Sequence, residues 1–431
     1  MKSKDLLYWI WFAEAVGPAN ADAVKLLKQY ENPYEIFRCE EFEMDLFPGL
    51  SENTRALLEK KDLYEASRIV EACEKYQIDV LTYSDDRYPN TLRDIHDPPI
   101  LLYYQGTLPD WNRCLSIGIV GTRKMTAYGL HFAYKIAYEM ASTDTIVISG
   151  MASGIDGVAA AAALAAKGTT VAVLGSGLDG AYPYHHRKLK EQILKKGAVL
   201  SEYPPGTQIK PYHFPIRNRI ISGISQGTLV VEAGTGSGSL ITAQLAKKQG
   251  REVYAIPSNV GRSGAEGTNE LLKDGAHMIL ESEDILERYQ YIYASSLRLE
   301  RLIEAKKNSS VDPAYLRSLD VAVFEVGEQK KNGAPYVKMT QSNERKPVEE
   351  KLREQYAQKN APVGQFEQLS MLQPTEQVQN ALPERGARAE LTDTRARTGE
   401  FTKERPTTAI NRTSKTRSDP KTEKAEKQPS L

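Results

Sequence analysis

The sequence predicts an α/β protein with a Rossmann-like, doubly wound and mostly parallel sheet. Three observations predict it. Short β-branched runs recur at 116–121, 145–150, 169–175, 198–203, 228–233, 252–257 and 277–281. They are nearly all apolar, as strands are when both sheet faces are covered. Helical stretches alternate with them, and such alternation implies parallel strands joined by crossover helices. Right-handed crossovers place the strand C-termini along one edge, where ligands of these sheets bind.

The elements follow in order. Residues 1–75 read as a small helical domain of the sterile-alpha-motif or helix-hairpin-helix kind. Leu6, Leu7, Ile10 and Trp11 recur at helical spacing before a Gly17-Pro18 break. Val24, Leu26 and Leu27 follow, with a stop at Asn32-Pro33. A second unit after Pro48-Gly49 carries Leu57, Leu58, Ala66, Ile69 and Val70. Residues 76–290 hold the sheet, and 79–106 add a strand or arm before its core. Residues 291–339 are an extension whose structure the sequence does not decide, with room for a small element at 312–337. From 340 to 431 Lys, Glu, Arg, Gln, Thr, Asn and Pro dominate. Such a stretch buries too little surface to offset its ordering entropy, so a disordered, mixed-charge tail is expected.

Composition narrows the function. The chain has 431 residues, with Lys+Arg 56 and Asp+Glu 56, a net charge of zero. Any polyanion is therefore held by a local patch rather than by bulk charge. Cys39, Cys73 and Cys114 are far apart and odd in number, which fits a reducing cytoplasm. No Cys or His lies at zinc spacing, so no metal or cofactor is expected. The apolar run from Leu6 to Ala13 is too short to span a bilayer. It also lacks the basic start and cleavage site of a signal peptide.

Five loops at the strand C-terminal edge share one chemistry. After the first strand come Gly121, Thr122 and Arg123. They offer a tight turn, a hydroxyl, a helix N-terminus with free N–H groups and a guanidinium fork suited to phosphate. The second loop carries Gly150, Ser153 and Gly154 before an Ala-rich helix, with Asp156 as its cap. The third, from Gly175 to Asp179, precedes Tyr182-Pro183-Tyr184-His185-His186, aromatics that either stack bases or pack. In the fourth, Pro215 is expected to stop the preceding segment, leaving Arg217, Asn218 and Arg219 in the first turn of a helix. Cations there oppose the helix dipole, and a bound phosphate would reconcile them. Phe214 beside them suits base stacking; the alternative is a structural pair holding Glu202 or Glu232. The fifth loop runs through Ser237, Gly238 and Ser239 into a helix, an anion nest without the Lys of a P-loop.

With these residues in hand the chain resembles the DprA/Smf family of DNA-processing proteins. The resemblance rests on GTRKMTAYG (121–129), SGMASGID (149–156), AVLGSGLDGAYP (172–183), LSEYPPG (200–206), FPIRNRIISGIS (214–225), VVEAGTGSGSLITAQLA (230–246) and GREVYAIP (250–257). It implies a non-enzymatic homodimer that binds single-stranded DNA and loads RecA recombinase during natural transformation. The implied DNA pocket comprises Arg123, Phe214, Arg217, Asn218, Arg219, Ser237, Gly238 and Ser239, with Lys210 just upstream. The chain departs from the family pattern at His186, where an Asn is usual. It departs again at Pro257-Ser258-Asn259 and Gly267-Thr268-Asn269, where the family usually shows Pro-Gly, then Gly, Cys and Asn. No winged-helix ending is evident. The rival class is a nucleotide N-glycosidase on a related fold. It needs a carboxylate near the sugar, and the helix 239–249 holds none, which leaves Glu232 and Asp156. A NAD-dependent oxidoreductase would need G-x-G-x-x-G after the first strand, and Gly118-Ile119-Val120-Gly121 does not fit.

Overall fold

A computed structural model describes residues 3–39, 50–262, 264–321, 324–326 and 337–339. Five helices come first: α1 (Ser3–Val16), α2 (Ala21–Tyr30), α3 (Pro33–Arg38), α4 (Glu52–Lys60) and α5 (Tyr64–Tyr76). Their starts are written locally. Asn20 Oδ1 accepts from Asp22 N, Asn32 Oδ1 from Tyr34 N and Glu35 N, and Ser51 Oγ from Thr54 N, each satisfying amides a helix start leaves open. Pro33 opens α3, where a missing N–H costs nothing. Trp9, Ile10, Trp11 and Phe12 on α1 are buried in the same core cluster as Tyr103 of the sheet and Leu189 and Ile193 of a helix that covers it. The helical unit and the sheet therefore share apolar packing.

Two strands, β1 (Asp79–Thr82) and β2 (Leu101–Gly106), flank the short helix α6 (Asn90–Arg93). The core then alternates: β3 (Ser116–Val120), α7 (Ala127–Ser142), β4 (Ile146–Ser149), α8 (Ile155–Ala165), β5 (Thr170–Leu174), α9 (Arg187–Lys196) and β6 (Ala198–Ser201). It continues with α10 (His213–Ile224), β7 (Gly227–Val230), α11 (Gly238–Lys248), β8 (Glu252–Ala255), α12 (Glu266–Lys273), β9 (His277–Met278) and α13 (Glu283–Tyr289). All seven expected runs contain strands. Each ends at least one residue short of its run, where the chain leaves the ladder for its loop.

The nine-stranded sheet has the order β1-β2-β6-β5-β4-β3-β7-β8-β9. From β6 to β9 neighbouring strands are parallel, while β2 runs antiparallel to β6 and to β1. The path runs outward from β3 to β6, then returns to β7 on the other flank of β3. The strand order thus reverses between β3 and β7, the topological switch point of doubly wound sheets. Alternate residues feed two cores. Ile117, Ile119, Ala172 and Leu174 meet the α7/α8/α9 layer, whereas Val120, Val171, Val173 and Val230 meet Leu92, Ile220, Ile221 and Ile224 of α6 and α10.

Residues beyond 290 carry more order than the sequence implied. A 3-10 turn (Leu299–Arg301) leads into α14 (Leu302–Asn308), followed by α15 (Pro313–Ser318). Leu302, Leu316, Leu319 and Val321 are buried in the α7/α8 core. A buried carboxylate on α7 fastens this segment: Glu139 accepts from Ser282 Oγ at 2.7 Å and from Ser309 Oγ at 2.9 Å, and pairs with Lys135. Two short strands, β10 (Phe324–Val326) and β11 (Val337–Met339), pair antiparallel. The tail expected at 340–431 lies outside the described residues.

Candidate functional site

At the switch point the loops leaving β3 and β7 part to form an open crevice of about 710 Å³. Thr122 N donates to Glu232 O at 2.7 Å and Ile155 N to Thr122 O at 3.2 Å, so three loops are laced together at its floor. Glycine permits this closeness. A Cβ on Gly154, whose φ is +84°, would lie 2.3 Å from Thr122 O. Gly121 is packed against Ile155, 2.6 Å from where its own Cβ would be.

Three helix starts face this region, and the head of α7 is already filled by one of the protein's own acids. Glu232 Oε2 accepts from Thr126 N at 2.8 Å at the head of α7. Gly129 makes room for that carboxylate, which lies 2.0 Å from where a Cβ would stand. Asp156 does not cap α8 as the sequence suggested: it sits inside the first turn and accepts from Gly150 N at 3.0 Å, in the loop that precedes the helix. Burial pushes both carboxyls above their ordinary range, and hydrogen bonds from backbone amides pull them part of the way back. The free amides expected behind Thr122 are therefore taken. The head of α11 is different. Ser237 caps it by accepting from Ser239 N, Gly236 and Gly238 have open space above them, and all line the crevice. This N-terminus faces the crevice with its positive end uncapped by a carboxylate.

The cations divide sharply. Arg123 and Lys124 line the crevice and are exposed, and among the described residues neither pairs with a carboxylate. The Arg123 guanidinium lies 5.4 Å from the centroid of the Phe214 ring, within cation–π range. Arg217 forms part of the floor but is buried, with its guanidinium 5.9 Å from the same ring. It donates to Gly150 O at 2.9 Å, to Val173 O, and to Asn218 Oδ1 at 3.2 Å. Burial lowers its pKa to about 10, with Asp156 opposing the shift. Asn218 reaches across to Gly238 O at 3.4 Å.

Arg219 is not brought to the crevice. It is buried on another face of α10, 2.6 Å from Glu202 and 3.2 Å from Asp97. The helix boundary explains the split. α10 starts at His213, two residues before Pro215, because proline is tolerated in a first turn where its missing N–H has no partner to lose. Residues 217–219 thus sit in the second turn, each about 100° from the next, and face strand ends, crevice and acid pair in succession. The expected conflict between these cations and the helix dipole is correspondingly weaker. Lys210 is exposed and lies 5.7 Å from the Tyr212 ring, outside the crevice lining.

A smaller cleft of about 50 Å³ adjoins on the far side of Phe214, lined by Ser153, Gly175 and Tyr182 among others. Tyr182 packs on Phe214 with ring centroids 5.5 Å apart. Ser153 Oγ lies 3.2 Å from His185 Nε2. Sequence reasoning did not place Lys124, Thr235 or Tyr182 in the site. Lys124 follows Arg123 directly, and Tyr182 stood in a visible aromatic cluster, so both signals were present.

The fold and crevice define a Rossmann-like protein with an open cleft at its sheet switch point, lined by an exposed arginine, an aromatic ring and a helix head. A family model described as DNA recombination-mediator protein A matches residues 79–290. The DNA processing protein DprA of Bacillus subtilis (strain 168) is 41% identical over 220 residues, covering 51% of this chain and 74% of that protein. Its counterpart in Streptococcus pneumoniae (strain R6) is 39% identical over 207 residues, covering 48% and 73%. The X-ray structure of DNA processing protein A from Streptococcus pneumoniae matches with a TM-score of 0.57 and 33% identity, covering 65% of this chain and 97% of that one. The chain belongs to the DprA/Smf family of DNA-processing proteins. Among the described residues no helix is long and apolar enough to cross a membrane, and no cluster of His, Cys, Asp and Glu suits a metal.

His186, the departure from the family's usual Asn, is buried behind the second loop. Its Nδ1 lies 2.9 Å from Met151 O, so Nδ1 carries the proton, while Nε2 is buried without a partner. Gly157 leaves space for the ring, whose Cε1 is 2.7 Å from where a Cβ would stand. A second proton would go to Nε2, which has no acceptor, and burial lowers the pKa from 6.5 to about 4. The unfolded chain therefore binds a proton that the folded chain refuses. Stability from this group is complete above about pH 6.5 and falls as pH drops toward 4. Between pH ~7 and ~5 the loss is about 2 kcal/mol. His186→Asn should remove that share of the acid limb in denaturant titrations at the two pH values; equal losses in both proteins would show that His186 does not titrate this way.

Proposed function

We propose that the crevice binds single-stranded DNA without reading its sequence, and that the protein hands the strand to RecA recombinase during transformation. One observation carries the reading. An exposed guanidinium, uncommitted to any carboxylate among the described residues, lies on Phe214 beside the open head of α11. Phosphate is matched to Arg123, Lys124 and the α11 amides, and a base face to Phe214. Ser237, Gly238 and Ser239 let the backbone approach closely, while Thr122 and Asn218 offer neutral partners. Gly121 and Gly154 shape the floor rather than supply charge, and Ser153 lines the smaller cleft. Arg217 orients Phe214 and Asn218 from below. The base stack of a duplex covers the faces that Phe214 would stack, so single strands are favoured.

The role is one of binding rather than catalysis. Glu232 and Asp156, the acids a glycosidase would use, are each engaged with backbone amides. A homodimer would set two crevices on one strand and raise avidity through effective concentration. The handover is tested on strands coated with a competing single-strand-binding protein. Substoichiometric protein should shorten the lag before RecA-catalysed ATP hydrolysis begins. An unchanged lag, at concentrations where the strand is bound, would contradict the handover.

A further inference from the structure

We propose that Tyr182 and Tyr184 form a second base-stacking platform, continuous with Phe214, along which a bound single strand leaves the crevice. The proposal rests on the reading of the crevice as a single-strand site and extends it to an exit path. Three rings stand in sequence. Phe214 and Tyr182 have centroids 5.5 Å apart and planes 34° apart, and Tyr182 and Tyr184 have centroids 6.2 Å apart and planes 79° apart. At one end of this row the Arg123 guanidinium covers Phe214. At the other end Tyr184 is 60% exposed. A ring that open buries little surface for the fold, yet it lies next to a ring that lines the smaller cleft. Stacking tolerates any base because every base has a π-face.

The chemistry required of the occupant is specific: unpaired planar rings on a polyanionic backbone. A folded protein offers no such row, and duplex DNA hides it. The second exposed tyrosine nearby, Tyr212, belongs to a different group. Its ring meets His213, which stacks on the buried Tyr203, and Lys210 lies over it. That series runs inward, so the strand is assigned to the Tyr182–Tyr184 side.

The test compares oligo-dT of about 4 and about 10 nucleotides on the full chain. The short strand fills the crevice alone, and the long one also reaches the platform. Tyr184→Ala should leave short-strand affinity unchanged and weaken the long strand on the order of tenfold. A long strand with abasic sites in its outer half should show the same loss on wild type and no further loss on the variant. Equal loss at both lengths, an unchanged long-strand affinity, or transfer of the loss to Tyr212→Ala would overturn the proposal. Wild type failing to bind either strand would instead overturn the crevice reading itself. Tyr184 is a surface side chain, and an unchanged melting curve of the variant confirms that folding is not what the assay reads.

Discussion

Arg123→Ala is expected to weaken binding of a short single strand by about 1–3 kcal/mol, roughly five- to 150-fold, with unchanged stability. The side chain is exposed, pairs with no carboxylate among the described residues, and lies over the Phe214 ring. Its removal leaves no buried group without a partner. Surface changes of this kind usually shift stability by less than about 0.5 kcal/mol. The loss is therefore one of phosphate capture and of the cation–π contact that holds Phe214 ready. Arg123→Lys should recover charge but not the fork that meets two phosphate oxygens, so it should restore affinity only in part. Fluorescence anisotropy with oligo-dT, alongside a thermal melt, separates the two effects. A variant that melts normally and binds as wild type would remove Arg123 from the site.

Arg217→Met should act in the opposite way, costing about 3–5 kcal/mol of stability. The Arg217 guanidinium is buried among the carbonyls of Gly150 and Val173. Gly150 shows how tight the arrangement is: a Cβ there would lie 2.4 Å from Arg217 Nη1 and 2.7 Å from Asp156 Oδ2. Methionine fills much of the volume but donates nothing. It leaves strand-end carbonyls unpaired and Asp156 without its compensating charge. Urea unfolding monitored by far-UV signal measures this. A loss below about 1 kcal/mol would mean that the buried guanidinium contributes little to the fold. Its binding defect, read at a temperature where the variant is folded, should be smaller than that of Arg123→Ala.

The fold was legible because its signal is local. Apolar runs ending at glycine, such as 116–121 and 169–175, mark strands buried on both faces, and the alternation with helices sets the topology. The crevice was legible to the same depth: Arg123, Phe214 and the Ser237–Gly238–Ser239 turn lie where the sheet edge places them. What escaped was non-local. Nothing near Thr126 shows that its amide will be met by Glu232, 106 residues away. The fate of Arg219 depended on where α10 begins; Glu202 stood among its alternative partners in the sequence, whereas Asp97 comes beside it only in the folded chain. The sequence left the structure of the extension beyond 290 undecided. Yet Leu302, Leu316 and Leu319 are buried, and Ser309 completes a hydrogen-bond set that begins on α7.

The central claim is that an exposed cation on an aromatic ring, beside an open helix head, selects unpaired strands. Parallel titrations of oligo-dT and a length-matched duplex, with wild type and Arg123→Ala, test it most directly. The account predicts much tighter binding of the single strand by wild type, and a mutant that loses most of that preference. Equal affinity for both nucleic acids, or a preference that survives the mutation intact, would contradict it.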